Sequence, residues 1–198
     1  VLDGFTIRDG HSDGVMGAAV LGQKNTSIHL VDCVVSNCFS SNGNVYYATL
    51  HRCLLAENET TSSSSSPAAY GCFLSNCLVV RNGGRSSGAV NAVVYSKIVN
   101  CSIVGNVGRP ASCNNYDNAA WNCAFALNEA SDVPSKYGMT NSVSTASESS
   151  FAMSYASIGD VPSTNFFFAP LFDDYRPLPG SPLVGHGDAR WLDEVIAL

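Results

Sequence analysis

Cysteine is the reactive residue that this chain spaces most regularly. Five of its eight cysteines stand among apolar residues at intervals of 20 to 24 residues: Cys33, Cys53, Cys77, Cys101 and Cys123. If a repeating fold stacks them in one column, their side chains run parallel, and the dihedral angle of about 90° that a disulfide requires is hard to reach. We therefore expect a ladder of buried, reduced thiols that pack as small apolar groups. Any disulfide would involve the cysteines outside this series, Cys38, Cys72 and Cys113.

Tyrosine follows the same series. Tyr46, Tyr70 and Tyr116 each stand seven residues before a series cysteine, and Tyr95 stands six before one. Facing outward, such rings would stack on sugar rings, so these four tyrosines and Arg81 are the candidate carbohydrate-binding residues. Facing inward, they would be core residues whose hydroxyl groups each need a partner, and we favour this interpretation because aromatic ladders usually serve packing.

Charged and metal-binding side chains form no catalytic cluster in the sequence. Cleaving an acidic polysaccharide by elimination needs a base and clustered carboxylates that hold calcium, and the nearest material is Arg8, Asp9, His11 and Asp13. The histidines are scattered and no paired C-x-x-C motifs occur. We therefore predict no catalytic residue and no metal ligand, with calcium a cofactor only if the chain is such a lyase.

The cysteines mark a repeated unit. Taking each series cysteine as the landmark, Gly4 extends the series upstream and Ser142 extends it downstream. Three residues before the landmark stand apolar residues, and two after it stand further apolar ones: Leu30, Leu50, Leu74 and Ile98, then Val35, Leu55, Val79, Ile103 and Phe125. Five residues after it stand mainly asparagines, which we interpret as structural residues of a turn: Asp9, Cys38, Asn58, Asn82, Asn106 and Asn128. Arg8, Glu57 and Arg81 fall four residues after it and predict a solvated charged stripe.

A unit of 19 to 29 residues with β-branched runs bounded by Asn and Gly predicts stacked short strands. Paired helices need a longer unit, and leucine-rich repeats need several leucines at fixed spacing. The predicted fold is therefore all-β, a single-stranded right-handed parallel β-helix of about six to seven coils. In such a coil each strand pairs with its equivalent in the next coil, so identical positions stack into ladders.

Three motifs resemble the pectin-lyase-like right-handed β-helix proteins of bacterial cell surfaces. They are DGFTIRDG from Asp3, NCSIVGN from Asn100, and APLF from Ala169 followed by YRPLPGSP from Tyr175. The resemblance covers nearly the whole chain, and the closing motif is its most specific part. It implies an extracellular, carbohydrate-facing protein, and the family includes polysaccharide lyases, hydrolases and many members without known activity.

The chain divides into coils over residues 1–143 and a C-terminal coil remnant with a cap over residues 144–198. The serine-rich run from Thr60 to Pro67 predicts a surface loop between two coils. Aromatic residues around Phe166–Phe168 would cover the last coil, and residues 188–196 predict a short amphipathic helix. Because Val1 begins in mid-repeat, we expect an upstream part of the same protein to cap the first coil.

Composition narrows the classes of function. The net charge is −6 without a basic cluster, which argues against a nucleic-acid partner, and no apolar run is long enough for a membrane span. The expected location is extracellular or at the bacterial cell surface, with polysaccharide as the expected partner. A carbohydrate-binding or adhesive module is the first hypothesis, a polysaccharide lyase or glycoside hydrolase the second, and a structural stalk the third.

Overall fold

The structure is a computed structural model, and it describes residues 1–14, 16–25, 27–61, 66–84, 91–112, 119–121, 123–126, 128–129, 138–140 and 143–144. These residues form 23 short β-strands, and no helix occurs among them. The strand pairs are parallel, so the fold is an all-β parallel solenoid, as the repeat predicts. The predicted terminal helix and nearly all of the predicted cap lie outside the described residues.

Two sheets run the length of the described solenoid, with seven strands each. Sheet A contains, in order, β1 (Leu2–Asp3), β5 (His29–Val31), β9 (Thr49–His51), β13 (Phe73–Ser75), β17 (Lys97–Val99), β20 (Ala119–Trp121) and β22 (Gly138–Thr140). Sheet B contains β2 (Thr6–Arg8), β6 (Val34–Ser36), β10 (Leu54–Ala56), β14 (Leu78–Val80), β18 (Ser102–Val104), β21 (Ala124–Ala126) and β23 (Val143–Ser144).

Two further sheets close the coils. Sheet C contains β3 (His11–Ser12), β7 (Phe39–Ser40), β11 (Glu59–Thr60) and β15 (Gly83–Gly84). Sheet D contains β4 (Val20–Leu21), β8 (Gly43–Tyr46), β12 (Ser66–Tyr70), β16 (Asn91–Val94) and β19 (Arg109–Ser112). The chain therefore visits sheets A, B, C and D in turn, and four coils have a strand in all four. The predicted total of six to seven coils stays a prediction.

The register fixes which residues stack, and it corrects one alignment. Thr6 pairs with Val34 and Leu2 with Leu30, so Gly4 stacks on Asp32 and Phe5 takes the cysteine position of the first coil. The sequence alignment had placed Gly4 there, one residue too early. At the other end Phe125 pairs with Ser144. Ser142, the predicted landmark of that coil, lies outside the described residues.

From β5 to β21, each three-residue strand of sheets A and B buries its middle residue, because side chains alternate between the two faces of a strand. The fully buried ladders inside sheets A and B are Leu30, Leu50, Leu74 and Ile98, and Val35, Leu55, Val79, Ile103 and Phe125. Complete burial of one such side chain stabilises the fold by about 1.5–3 kcal/mol. The core is therefore a narrow apolar column along the solenoid axis.

The coils bend at corners that share one backbone conformation. At the described corners from A to B, B to C and D to A, the residue after the strand is left-handed, with φ between 45° and 69°, except for Gly22 after β4. From the second coil onward the next residue points inward and is buried, whereas Phe5 of the first coil is exposed. All seven described cysteines occupy such inward positions, and all are free and buried. Cys38 and Cys72 thus form no disulfide, and Cys113 lies outside the described residues.

Inward corner residues bond to one another along the axis. In the B–C corner each asparagine accepts the backbone N–H of the coil before it, from Cys38 N to Asn58 Oδ1 (3.1 Å) through Asn106 N to Asn128 Oδ1 (3.0 Å). In the A–B corner the equivalent acceptor is sulfur, with Cys77 N 3.4 Å from Cys101 Sγ. Since a buried N–H must find an acceptor, these ladders complete the backbone hydrogen bonding at the bends.

The first coil exposes apolar surface. Leu2 is 39% exposed, Phe5 57% and Leu21 59%. These residues belong to β1, to the A–B corner and to β4, which form the outermost coil of the described solenoid. The expectation that an upstream part of the protein caps this coil stays a prediction.

Candidate functional site

The outer surface of the D–A corner carries an open groove of about 320 Å³, called the corner groove below. One side is the left-handed column Tyr47, Gly71 and Tyr95, and the other is the column of first residues of β9, β13 and β17, namely Thr49, Phe73 and Lys97. Ala48 and Cys72 lie at the bottom, and Lys24 completes the lining. Three aromatic side chains and two lysines therefore line the groove around Gly71.

The backbone holds both tyrosine walls in place. Tyr47 N donates to Tyr70 O and Tyr95 N donates to Ser112 O, each at 3.0 Å, so each corner is bonded to the next coil. Their φ values are 45° and 50°, in the region that costs a residue with a side chain roughly 1–2 kcal/mol. Bulky residues in this conformation persist where the surrounding structure holds them, often at functional sites.

Gly71 gives the groove its shape. Its φ of 64° is left-handed, and a Cβ atom there would clash with Cε1 and Cδ1 of the Tyr47 ring. The Tyr47 ring therefore lies across the position that a Gly71 side chain would fill. Tyr95 stands one coil further along, on the other side of Gly71.

The tyrosine rings brace one another. The Tyr70 ring stacks on Tyr46 with centroids 4.7 Å apart and meets the edges of Tyr47 and Tyr95 at 5.9 and 5.1 Å. Tyr46 donates its hydroxyl to Asn42 O at 2.8 Å. Burial raises the pKa of Tyr46 to about 12, and burial, then the neighbouring Tyr47 and Tyr95, raise the pKa of Tyr70. Both phenols therefore stay neutral hydrogen-bond donors near neutral pH.

The predicted tyrosines come together, but on the outer face of sheet D. Their strand neighbours Val45 and Ala69 are fully buried in the core, so alternation directs Tyr46 and Tyr70 to the opposite face. The inward interpretation that the sequence analysis favoured therefore differs from the structure. Tyr46 is nevertheless only 3% exposed, because the other rings cover it. Tyr95 lines the groove, and Tyr116 lies outside the described residues.

Arg81 lies away from this site. It follows β14 at the B–C corner, and its Nη2 atom pairs with Glu57 Oε1 at 2.9 Å. Asp9 rather than Arg8 shares its left-handed column, because the register of the first coil is shifted by one residue. The structure does not bring Arg81 to the tyrosines.

Sequence reasoning missed Tyr47, Gly71, Phe73, Lys24 and Lys97. A signal was present for the first two, since Tyr47, Gly71 and Tyr95 each precede a series cysteine by six residues. The aromatic series at seven residues drew attention to the supporting rings of Tyr46 and Tyr70 instead. Nothing in the sequence places Lys24 beside this column, because it precedes β5 in a turn of irregular length.

Metal and membrane features add little to the site. Within the described parts of the chain, no group of three or more His, Cys, Asp and Glu residues could hold a metal ion. None of the described segments is a helix long and apolar enough to cross a membrane.

Comparison with known proteins supplies no assignment. No protein-family model matches the chain, and no curated protein matches it. The corner groove therefore has to be interpreted from its own chemistry.

Proposed function

We propose that this chain is a carbohydrate-binding β-solenoid module, secreted or displayed on a cell surface, and that the corner groove binds the glycan. The observation that carries the proposal is the pair of half-buried rings, Tyr47 and Tyr95, which flank Gly71 in left-handed corners of the backbone. An aromatic ring offers a flat apolar face with a polar hydroxyl, which suits a sugar that presents C–H groups on one face and hydroxyls at its rim.

The groove is ready to bind without rearrangement. The two wall tyrosines pack edge-on against Tyr70, and Tyr47 also packs edge-on against Tyr46. Binding then costs little side-chain entropy, since each immobilised flexible side chain otherwise costs about 0.5–1.5 kcal/mol. Lys24, Lys97 and Thr49 supply polar groups around the aromatic residues. A few polar groups on an apolar cleft are typical of small-molecule and saccharide sites.

The orientation of the ligand follows from the coil spacing. Tyr47 and Tyr95 are two coils apart, and neighbouring strands lie ~4.8 Å apart, so their backbones are separated by about 10 Å along the axis. A linear saccharide would therefore lie along the solenoid axis and contact three successive coils.

The finer classification belongs to the same proposal. The pectin-lyase-like resemblance of the three motifs supports right-handed winding and a bacterial origin. A carbohydrate-facing surface would fit that family without requiring catalysis.

The proposal is tested with a glycan array and titration calorimetry on the full chain and three variants. Tyr47→Asn and Tyr95→Asn remove the wall rings while keeping a residue that tolerates the left-handed conformation. Each should weaken binding about tenfold or more, or about 1.4 kcal/mol. Tyr46→Phe is the matched control, because it alters a ring of the same cluster that is only 3% exposed.

Binding that survives both wall substitutions, or an array on which the folded chain binds no glycan, would overturn the proposal. Binding that is lost in Tyr46→Phe as severely as in the wall variants would also contradict it, because the groove residues would then have no special part. Circular dichroism of each variant checks that the β-sheet content is unchanged.

A further inference from the structure

The corner groove has an unbalanced charge. Its lining includes two lysines and neither an aspartate nor a glutamate. The chain as a whole carries a net charge of −6, opposite in sign to the two lysines of the groove. The groove is therefore a local positive site on an acidic protein.

Of the four arginines that the structure describes, three make ion pairs, whereas Arg109 in β19, outside the groove, makes none with a described residue. Arg52 pairs with Asp32 at 2.7 Å and Arg81 with Glu57 at 2.9 Å, one coil apart in each case. Arg8 lies 3.5 Å from Asp9. Within the described residues Lys24 and Lys97 make no such ion pair, and both side chains are exposed. Their charges are available to a ligand.

The two lysines belong to opposite ends of the groove. Lys97 begins β17, whereas Lys24 lies in the turn that leads to β5. Sheet A places β9 and β13 between these strands, so the backbones of the two lysines are three strand spacings apart along the axis, about 14 Å. Tyr47 and Phe73 lie between the two ends, and Tyr95 lies in the same corner as Lys97.

We infer that the corner groove selects acidic oligosaccharides that carry at least two anionic groups, one bound by Lys24 and the other by Lys97. The inference rests on the proposed function and adds the chemical class of the ligand and its length. The aromatic residues bind the sugar rings, and the lysines bind carboxylate or sulfate groups on sugars at either end. A neutral saccharide, or one with a single acidic group, lacks part of this recognition.

The physical basis is a charge-assisted hydrogen bond at each end. Such a bond is about twice as strong as a neutral one, and a lysine ammonium contributes it as a point charge without fixed geometry. Both lysines are exposed, so salt screens the attraction, with a Debye length of about 10 Å at 0.1 M. Binding of the correct ligand must therefore weaken as ionic strength rises.

The experiment uses an array of carboxylated, sulfated and neutral oligosaccharides, followed by calorimetry at about 0.05 M and about 0.5 M NaCl. The strongest acidic oligosaccharide is compared with the same compound after carboxyl reduction or desulfation, which separates the two sources of charge. The variants are Lys24→Gln and Lys97→Gln. Arg109→Gln is the control, because it removes an exposed positive charge in β19 outside the groove.

We expect each lysine variant to raise the dissociation constant about tenfold. The double variant should abolish the preference for the acidic ligand over the neutralised one. Arg109→Gln should bind as the unmodified chain does. Equal binding of acidic and neutralised ligands, with Tyr95→Asn still losing affinity, would overturn this inference and leave the proposed function standing. If the folded chain binds no oligosaccharide on the array, both this inference and the proposed function are overturned.

Discussion

The B–C and D–A corners have the same backbone conformation but differ in the side chains that they carry. Both turn through a left-handed residue, and both then place an inward residue whose N–H is accepted by a side chain one coil further along. In the B–C corner the acceptors from Asn58 onward are asparagines. In the D–A corner they are Cys72 Sγ, 3.5 Å from Ala48 N, and Ser96 Oγ, 3.0 Å from Cys72 N.

The two corners also differ in the residues that point outward. The B–C corner pairs Glu57 with Arg81, which satisfies both charges within the solenoid. The D–A corner presents Tyr47 and Tyr95 around a glycine and leaves a groove. The outward side chains of the B–C corner bind neighbouring coils to each other, whereas those of the D–A corner leave polar and aromatic groups open to a ligand. A repeated backbone thus lets one face specialise without disturbing the register of the others.

The largest expected loss of stability follows from a substitution in the asparagine ladder of the B–C corner. Asn82 donates to Leu55 O, Val80 O and Asn106 Oδ1 at 2.9–3.1 Å, and its Oδ1 accepts from Asn58 N and Asn58 Nδ2. Asn82→Leu removes these bonds and leaves buried groups without partners, which costs about 1–3 kcal/mol each. We expect a loss of at least about 3 kcal/mol in the free energy of unfolding, measured by urea denaturation.

Ser96→Ala is the matched change in the D–A corner. It deprives Cys72 N of one acceptor, so its expected cost is about 1 kcal/mol. Comparable losses for the two variants would mean that the amide ladder has no cohesive advantage over the serine and cysteine ladder.

An intermediate loss of stability is expected from alanine substitutions at two glycines that have the same backbone conformation but different surroundings. Gly71 and Gly105 have φ values of 64° and 63°, but only Gly71 has a neighbour where a Cβ would lie. Gly105→Ala should cost about 1 kcal/mol, the penalty for a side chain in this region. Gly71→Ala should cost about 2 kcal/mol, because it also displaces the Tyr47 ring. Thermal denaturation measures the loss, and calorimetry checks that only Gly71→Ala weakens glycan binding.

If both glycine variants lose the same stability and Gly71→Ala still binds, the Tyr47 ring is not held by Gly71. The difference between the corners would then rest on the lysines and Tyr95 alone.

The smallest expected loss of stability follows from breaking the exposed ion pair of the A–B corner. Arg52 holds the pKa of Asp32 below its usual range, chiefly through their hydrogen bond. Because the folded pKa is depressed, the pair stabilises the protein above the ordinary aspartate pKa of about 3.9, and this contribution is lost as the pH falls through the folded value. Arg52→Gln should slightly lower the urea midpoint at pH 7, and the difference should vanish in strong acid. A difference that persists in acid would show that Arg52 acts through packing.

Much of the fold was predictable because a solenoid is nearly one-dimensional. A column of equivalent residues must share burial, so apolar and asparagine series in the sequence reveal the ladders inside sheets A and B and the B–C corner. The first coil was misaligned by one residue because Gly4 was matched to Cys33, whereas it takes the left-handed position that Asp32 occupies in the next coil. Sheets C and D lacked a sequence signal, since their strands are joined by loops of variable length.

The site was predictable only in part. Tyr95 and the idea of an aromatic ladder came from spacing, but the spacing ranked Tyr46, which is buried, and Tyr70, which does not line the groove, above Tyr47. Side-chain direction depends on the left-handed turn, which rotates the residue after the strand outward, and the periodicity of a strand does not contain that rotation. Arg81 was grouped with the tyrosines although two sheets separate their corners.

The repeat, the all-β class, the apolar and asparagine ladders and the net negative charge each follow from residue type and interval alone. Only the folded coils establish which columns face each other across a corner, which tyrosines line the groove and which support them, and that two lysines distant in the chain share one groove. The coils bring together residues about 24 to 73 positions apart, and the lengths of the connecting loops, which carry no pattern, set where those residues meet.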